Sequence, residues 1–111
     1  MNILTFDIED WFHILANPET ATVSQWGNFE SRINKNVDRI LELLDAHNYP
    51  ATFFCLGWVA KNFPDIVRRI DAMGYEVASH SNLPQLVFEQ SPNEFRNDLI
   101  ESMNRIEDVI G

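Results

Sequence analysis

Asp7, Glu9 and Asp10 place three carboxylates within four positions, directly after the largely apolar run Ile3-Leu4-Thr5-Phe6, and His13 stands just beyond. Carboxylates crowded in this way repel one another, and a bound cation or a shared proton relieves the repulsion. Far along the chain His80 ends a second apolar run, Tyr75 to Ser79. An imidazole among carboxylates suits zinc or a similar divalent ion, which takes about three protein ligands and keeps one position open for water. A further carboxylate close by can accept a proton from that water. These residues therefore read as a metal-assisted or acid–base site. They also admit plainer roles: acidic residues after a strand cap helices or solvate loops, and a histidine at a strand end is often only hydrogen-bonded.

Rigid elements must bring such residues together. Residues 2–7 carry the alternation of a buried first strand. Glu30 to His47 is helical, since Ile33, Val37, Ile40, Leu41 and Leu44 recur at three- and four-residue steps, and Asn48-Tyr49-Pro50 stops it. Ala51 to Leu56 is the second strand, a continuous apolar run expected of a parallel sheet covered on both faces. Gly57 turns the chain and Trp58 to Asn62 makes a short helical turn. Pro64 suits the first position of a helix over Asp65 to Met73, with Ile66, Val67 and Ile70 inward and Gly74 as its cap. Tyr75 to Ser79 is the third strand. Ser91-Pro92-Asn93-Glu94 opens the last helix with a capping box and an N-terminal proline, and Phe95, Leu99, Met103, Ile106 and Ile110 supply its buried stripe.

The order is βαβαβα, with parallel strands and right-handed crossovers. In such a sheet the carboxyl ends of all three strands share one edge, where α/β folds place their sites. Asp7, Glu9 and Asp10 arrive there from the first strand, Gly57 and Trp58 from the second, and Ser79 and His80 from the third. Leu15 to Asn28 is 14 residues of polar, irregular sequence, long for a plain connection, and reads as a functional loop over the site. Trp11, Phe12 and Trp26 either pack this loop down or stack on a ligand. Trp11 and Trp58, at the strand ends, are the substrate-binding candidates.

Composition narrows the field. At 111 residues the chain is one domain at most, and 45% apolar with 12% aromatic content argues against disorder. A net charge of −9 with no basic cluster argues against nucleic acid or an anionic membrane surface as partner. Cys55, the single cysteine, forms no intrachain disulfide and reads as a small buried hydrophobe. The start lacks the pattern of a secretory signal and no apolar run approaches the ~20 residues that span a bilayer, so a soluble, cytoplasmic protein is expected.

Three linked stretches carry a family resemblance: Thr5-Phe6-Asp7 with Glu9-Asp10-Trp11-Phe12, then Ala51-Thr52-Phe53-Phe54 with Leu56-Gly57-Trp58, then Gly74-Tyr75-Glu76-Val77-Ala78-Ser79-His80. In order and spacing they resemble the polysaccharide deacetylases, the NodB-homology or carbohydrate esterase 4 family. The Asp-x-Glu-Asp-Trp start is similar to a subgroup associated with bacterial exopolysaccharide biosynthesis. The resemblance implies a partial (β/α) barrel, with 1–111 the N-terminal portion of a NodB-type domain. It also implies a hydrolase that uses zinc or another divalent metal to remove N-acetyl groups from the amino sugars of a bacterial glycan. On that pattern Asp7 is the general base, and Asp10 and His80 are metal ligands, with Glu9 the less favoured second acid.

Two departures accompany it. The family's second metal histidine falls on Pro84, which has no side-chain ligand. Weak metal binding, or substitution by Glu9 or His13, is therefore expected. The family's later motifs, an arginine-proline pair and an acid histidine, have no counterpart in 1–111. The alternative is a catalytically inactive truncated or degenerate deacetylase fold that serves as a binding or assembly module. Self-association through exposed barrel edges is expected of either. A phospho-acceptor receiver domain is excluded, because the third strand ends in Ser79-His80 and no lysine follows Lys61.

Overall fold

A computed structural model describes residues 1–14, 17–20 and 22–111. The central strand, β2 (Thr52–Cys55), is flanked by β1 (Thr5–Ile8) and β3 (Glu76–Ser79), both parallel to it, in the order β1-β2-β3. Strands that add consecutively in one direction wind as a barrel does. A doubly wound sheet would reverse its order. The α/β class and the partial-barrel course expected from the sequence are both present.

Register sorts the side chains. Phe6, Phe53 and Val77 form one row, and Ile8, Cys55 and Ser79 another, on the same face of the sheet. That face meets the helices: Ile8, Phe53 and Cys55 are buried, in one core with Ile33, Val37, Leu41 and Leu44 of α1 (Ile33–His47). The short α2 (Gly57–Asn62) adds Val59 and Ala60, and α3 (Pro64–Ala72) adds Ile66, Val67 and Ile70. Fully burying a side chain such as Phe53 contributes on the order of 2 kcal/mol. The opposite face is open: Thr5, Asp7 and Glu76 are exposed, Phe54 and Ala78 half-buried. Covering on both faces, read from the apolar run of β2, is thus not found among the described residues; helices on one side alone suffice to bury Phe53 and Cys55.

α4 (Pro92–Ile110) begins at the expected capping box, in which Ser91 and Glu94 bond each other's amides. Its expected stripe needs correction. Ser102 and Ile106 are buried, whereas Phe95, Leu99 and Met103 are 38–46% exposed and Ile110 is only half-buried. The reason lies at Gly57. A β-carbon there would stand 2.4 Å from Asn82 Oδ1 and 3.0 Å from the Ser102 α-carbon, so α2 and α4 meet where only glycine and a small residue fit. That contact turns the apolar stripe of α4 away from the core.

Boundaries shift modestly elsewhere. β1 starts at Thr5 and not at residue 2, because the Thr52 amide bonds to the Leu4 carbonyl and pairing ends there, leaving Ile3 exposed. α1 starts at Ile33, three residues later than expected. The region read as a loop contains a 3-10 turn over Val23–Asn28, and another, Trp11–His13, precedes it. Part of that loop, residues 15, 16 and 21, lies outside the described residues. Among the described residues no helix is long and apolar enough to cross a membrane.

Candidate metal and acid–base site

Strand parity decides which carboxylates converge. Asp7 and Glu9 are two residues apart, so both project onto the open face while Ile8 between them enters the core. His80 follows Ala78 by two and projects onto the same face; its amide donates to the Cys55 carbonyl (2.9 Å), extending the pairing just past β3. The three side chains meet. His80 Nε2 lies 3.8 Å from Asp7 Oδ2 and 3.9 Å from Glu9 Oε2, and one ligand atom from each residue falls within 4.8 Å of the others. Two oxygens and one nitrogen at this spacing, open to solvent, suit a zinc-like divalent ion, whether all three bind it or one carboxylate is left beside it as a base. Glu9 has its pKa raised, chiefly by burial; His80 opposes the rise and Asp7 adds to it.

The structure sends Asp10 the other way. Its carboxylate is buried and accepts bonds from the Trp11 amide (2.9 Å), the Ser31 hydroxyl (2.6 Å) and the Arg32 amide (3.0 Å). It caps the 3-10 turn Trp11–His13 and ties that turn to the residues before α1. His13 also stands apart from the site. Its Nδ1 accepts from the Asp10 amide (2.7 Å), and its ring lies 4.6 Å from Trp26 and 4.8 Å from Trp58, with Nε2 buried and unpartnered. Burial lowers its pKa to about 4, so it is neutral near pH 7.

The aromatic residues divide similarly. Trp58 is half-buried in a cluster with Phe12, His13, Trp26 and Phe63. Trp11 donates its indole N–H to the Glu30 carbonyl (2.9 Å), carries the Arg32 guanidinium 6.0 Å from its ring centre, and keeps part of its surface exposed. With Asp7, Glu9, Arg32 and Asn36 it lines a cleft of about 220 Å³ between β1 and α1. Cys55 is buried and its thiol pKa is pushed up to about 12, which leaves it inert as a nucleophile.

The loop after His80 is bonded throughout. Ser81 adopts a left-handed backbone (φ 64°), and its carbonyl accepts from the Gly57 amide (2.9 Å) and the Ser102 hydroxyl (3.0 Å). The Asn82 carbonyl accepts from the Trp58 amide (3.0 Å). Asp98 accepts from the amides of Asn82 (2.9 Å) and Leu83 (3.2 Å), and Arg105 donates to the Asn82 side chain (2.6 Å). Asp98, Ser102 and Arg105 were not singled out by the sequence reading. Their spacing of four and three residues, a polar row along an otherwise amphipathic helix, was the available signal.

Comparison with known proteins agrees with this geometry. The family described as polysaccharide deacetylase matches residues 3–111. A peptidoglycan-N-acetylglucosamine deacetylase of Bacillus cereus is 38% identical over 71 residues, covering 61% of this chain and 26% of that enzyme. A chitooligosaccharide deacetylase of Sinorhizobium fredii is 48% identical over 73 residues, covering 65% of this chain and 34% of that enzyme. The chain thus spans about a quarter to a third of these relatives. A polysaccharide deacetylase-type structure from Mycobacterium smegmatis superposes with a TM-score of 0.78 at 25% identity, over 96% of this chain and 38% of that one. A mutant, with restored enzymatic activity, of a carbohydrate esterase 4 pseudoenzyme superposes with a TM-score of 0.72 at 25% identity, over 96% and 31%. With the strand order, the convergence of Asp7 and His80 and the match along almost its whole length, the chain belongs to the polysaccharide deacetylase family.

Proposed function

We propose that this chain carries the metal-binding half of an N-acetyl-glucosamine deacetylase site, in which Glu9 and His80 hold a divalent ion and Asp7 is the general base. The convergence of Asp7, Glu9 and His80 on the open face carries the reading. Glu9 takes the ligand position in place of Asp10, because the Asp10 carboxylate is occupied by three donors and buried. A divalent ion held by Glu9 and His80 would supply Lewis-acid polarisation of the amide carbonyl and a lowered pKa for an attacking water, which then gives up its proton more readily. Asp7, the most exposed of the three side chains, is free to receive the proton of that water. Glu9 is less exposed, and a cation held there would stabilise its charge. The exposed face of Trp11 offers a stacking surface for a sugar ring at the mouth of the cleft, whereas the packing of Trp58 assigns it to supporting His13 and Trp26. Zinc is the first choice of metal, from the nitrogen in the donor set.

One relative is a deacetylase of peptidoglycan N-acetylglucosamine and the other of chitooligosaccharide, which supports an N-acetylated amino-sugar glycan as the substrate class. The test is acetate release from a chitooligosaccharide by this chain with zinc. Turnover that disappears in Asp7→Asn while zinc affinity persists supports the assignment; turnover that survives the substitution contradicts it.

Pro84 favours a second reading. A proline where the family pattern has a histidine supplies no ligand atom, and a family that includes a pseudoenzyme accommodates such a loss. On this reading the chain binds a glycan, with or without metal, and releases no acetate. Glycan binding without acetate release in the same assay distinguishes it.

A further inference from the structure

We infer that Asp98 and Ser102 of α4 are positioning residues that hold His80 toward Asp7 and Glu9. The inference rests on reading those three residues as the site. The His80 backbone is tied to the sheet through its amide, which donates to Cys55, and it sits one residue before the left-handed turn at Ser81. A non-glycine residue in that region costs on the order of 1 kcal/mol, so neighbouring bonds must enforce the turn. They come from two elements. From α2, the amides of Gly57 and Trp58 hold the carbonyls of Ser81 and Asn82.

From α4, Asp98 takes the next two amides, one on each oxygen, and the Ser102 hydroxyl bonds the Ser81 carbonyl. The Ser102 hydroxyl also lies 2.7 Å from the Ser79 hydroxyl, which in turn accepts from the Ser81 amide (3.2 Å). His80 is thereby bracketed, with Ser79 on one side and Ser81 to Leu83 on the other all bonded to one helix. Ser102 is wholly buried and Asn82 nearly so, which removes water as a competing partner and strengthens the bracket. Arg105, paired with Glu101, closes the far end on the Asn82 side chain.

This arrangement explains why a polar row replaces the apolar stripe on the buried side of α4. It also gives the His80 loop a fixed shape that needs no ligand at position 84. A carboxylate on two consecutive amides fixes direction as well as position, since both donors must point at one group.

The test compares Asp98→Asn and Ser102→Ala with Ile70→Val, a core substitution away from the loop. Zinc titration, amide exchange of Asn82 and NMR relaxation of the His80 ring are measured on the full chain, with thermal melting as the control for general destabilisation. The inference predicts at least a tenfold loss of zinc affinity and a more mobile His80 ring in Asp98→Asn. A smaller change of the same kind is expected in Ser102→Ala, and neither change in Ile70→Val at comparable melting temperature. Faster Asn82 exchange with unchanged zinc affinity and an unchanged His80 ring would overturn it. If the parent chain binds no zinc, the metal reading fails by itself, and the ring measurement alone decides: a ring loosened by Asp98→Asn supports the bracket, and a ring unaffected by it refutes the bracket.

Discussion

Glu9 and Asp10 are consecutive, yet their carboxylates serve opposite sides of the chain. That of Glu9 reaches within 3.9 Å of His80 Nε2 on the open face, and that of Asp10 is buried among the amides of Trp11 and Arg32 and the hydroxyl of Ser31. The end of β1 at Ile8 produces this divergence: Glu9 keeps the parity of the strand, and Asp10 caps the turn that follows.

Asp10→Ala should therefore damage the fold. It leaves two amides and a hydroxyl without their acceptor and removes a cap, a loss of roughly 3 kcal/mol. Chemical denaturation monitored by tryptophan fluorescence reads it directly, since Trp11 begins the affected turn and Trp26 packs against its His13. Zinc affinity of the folded fraction should be unchanged.

Glu9→Gln should have the opposite effect on stability. Its folded pKa lies above the ordinary 4.5, so the fold disfavours its charged form. That cost is absent below pH 4.5 and complete once the pH exceeds the folded value. The substitution should raise the melting temperature at pH 7 and leave it unchanged near pH 4. Stabilisation that is equal at both pH values would remove the electrostatic explanation.

His13 predicts an acid-sensitive aromatic cluster. A histidine with its pKa lowered from 6.5 to about 4 stays neutral in the fold while the unfolded chain takes up a proton. The fold then loses stability as pH falls from 6.5 toward 4, by on the order of 3 kcal/mol over that window, and this term is absent above it. His13→Gln, which keeps an acceptor for the Asp10 amide, should flatten this part of the stability curve. An unchanged slope between pH 6.5 and 4 would assign acid sensitivity to other groups.

Pro84→His places an imidazole where the family resemblance expects a second metal histidine. The preceding Leu83 amide is fixed by Asp98, so the new side chain starts from a held backbone. Zinc affinity should rise at least tenfold, read by calorimetry. An unchanged affinity would mean that position 84 does not face the site.

We propose self-association through the open face and the exposed row of Phe95, Leu99 and Met103 on α4. Equilibrium sedimentation should show association that weakens when Leu99 and Met103 are replaced by Gln. A monomer of 12.9 kDa at all concentrations would contradict it.

Much of the fold was legible in the sequence because periodicity reports burial directly. The spacing of Ile33, Val37, Leu41 and Leu44 marked α1, and the apolar run around Phe53 marked the central strand. The site was half legible. Asp7 and His80 converge at the strand ends as the parallel order requires, whereas the choice between Glu9 and Asp10 turned on where β1 ends. Because β1 runs to Ile8, Glu9 keeps strand parity and Asp10 begins the next turn. The role of α4 was hidden for a different reason. Phe95, Leu99 and Met103 satisfy helical periodicity as well as any core stripe does, and only the close approach at Gly57 selects Ser102 instead.

The most direct test is a calorimetric zinc titration of the chain beside Glu9→Gln, His80→Ala and Asp10→Asn. One zinc per chain should bind, with affinity lost in Glu9→Gln and His80→Ala and kept in Asp10→Asn. Binding that survives Glu9→Gln but vanishes in Asp10→Asn, with the variant still folded, would contradict Glu9 as the acidic ligand.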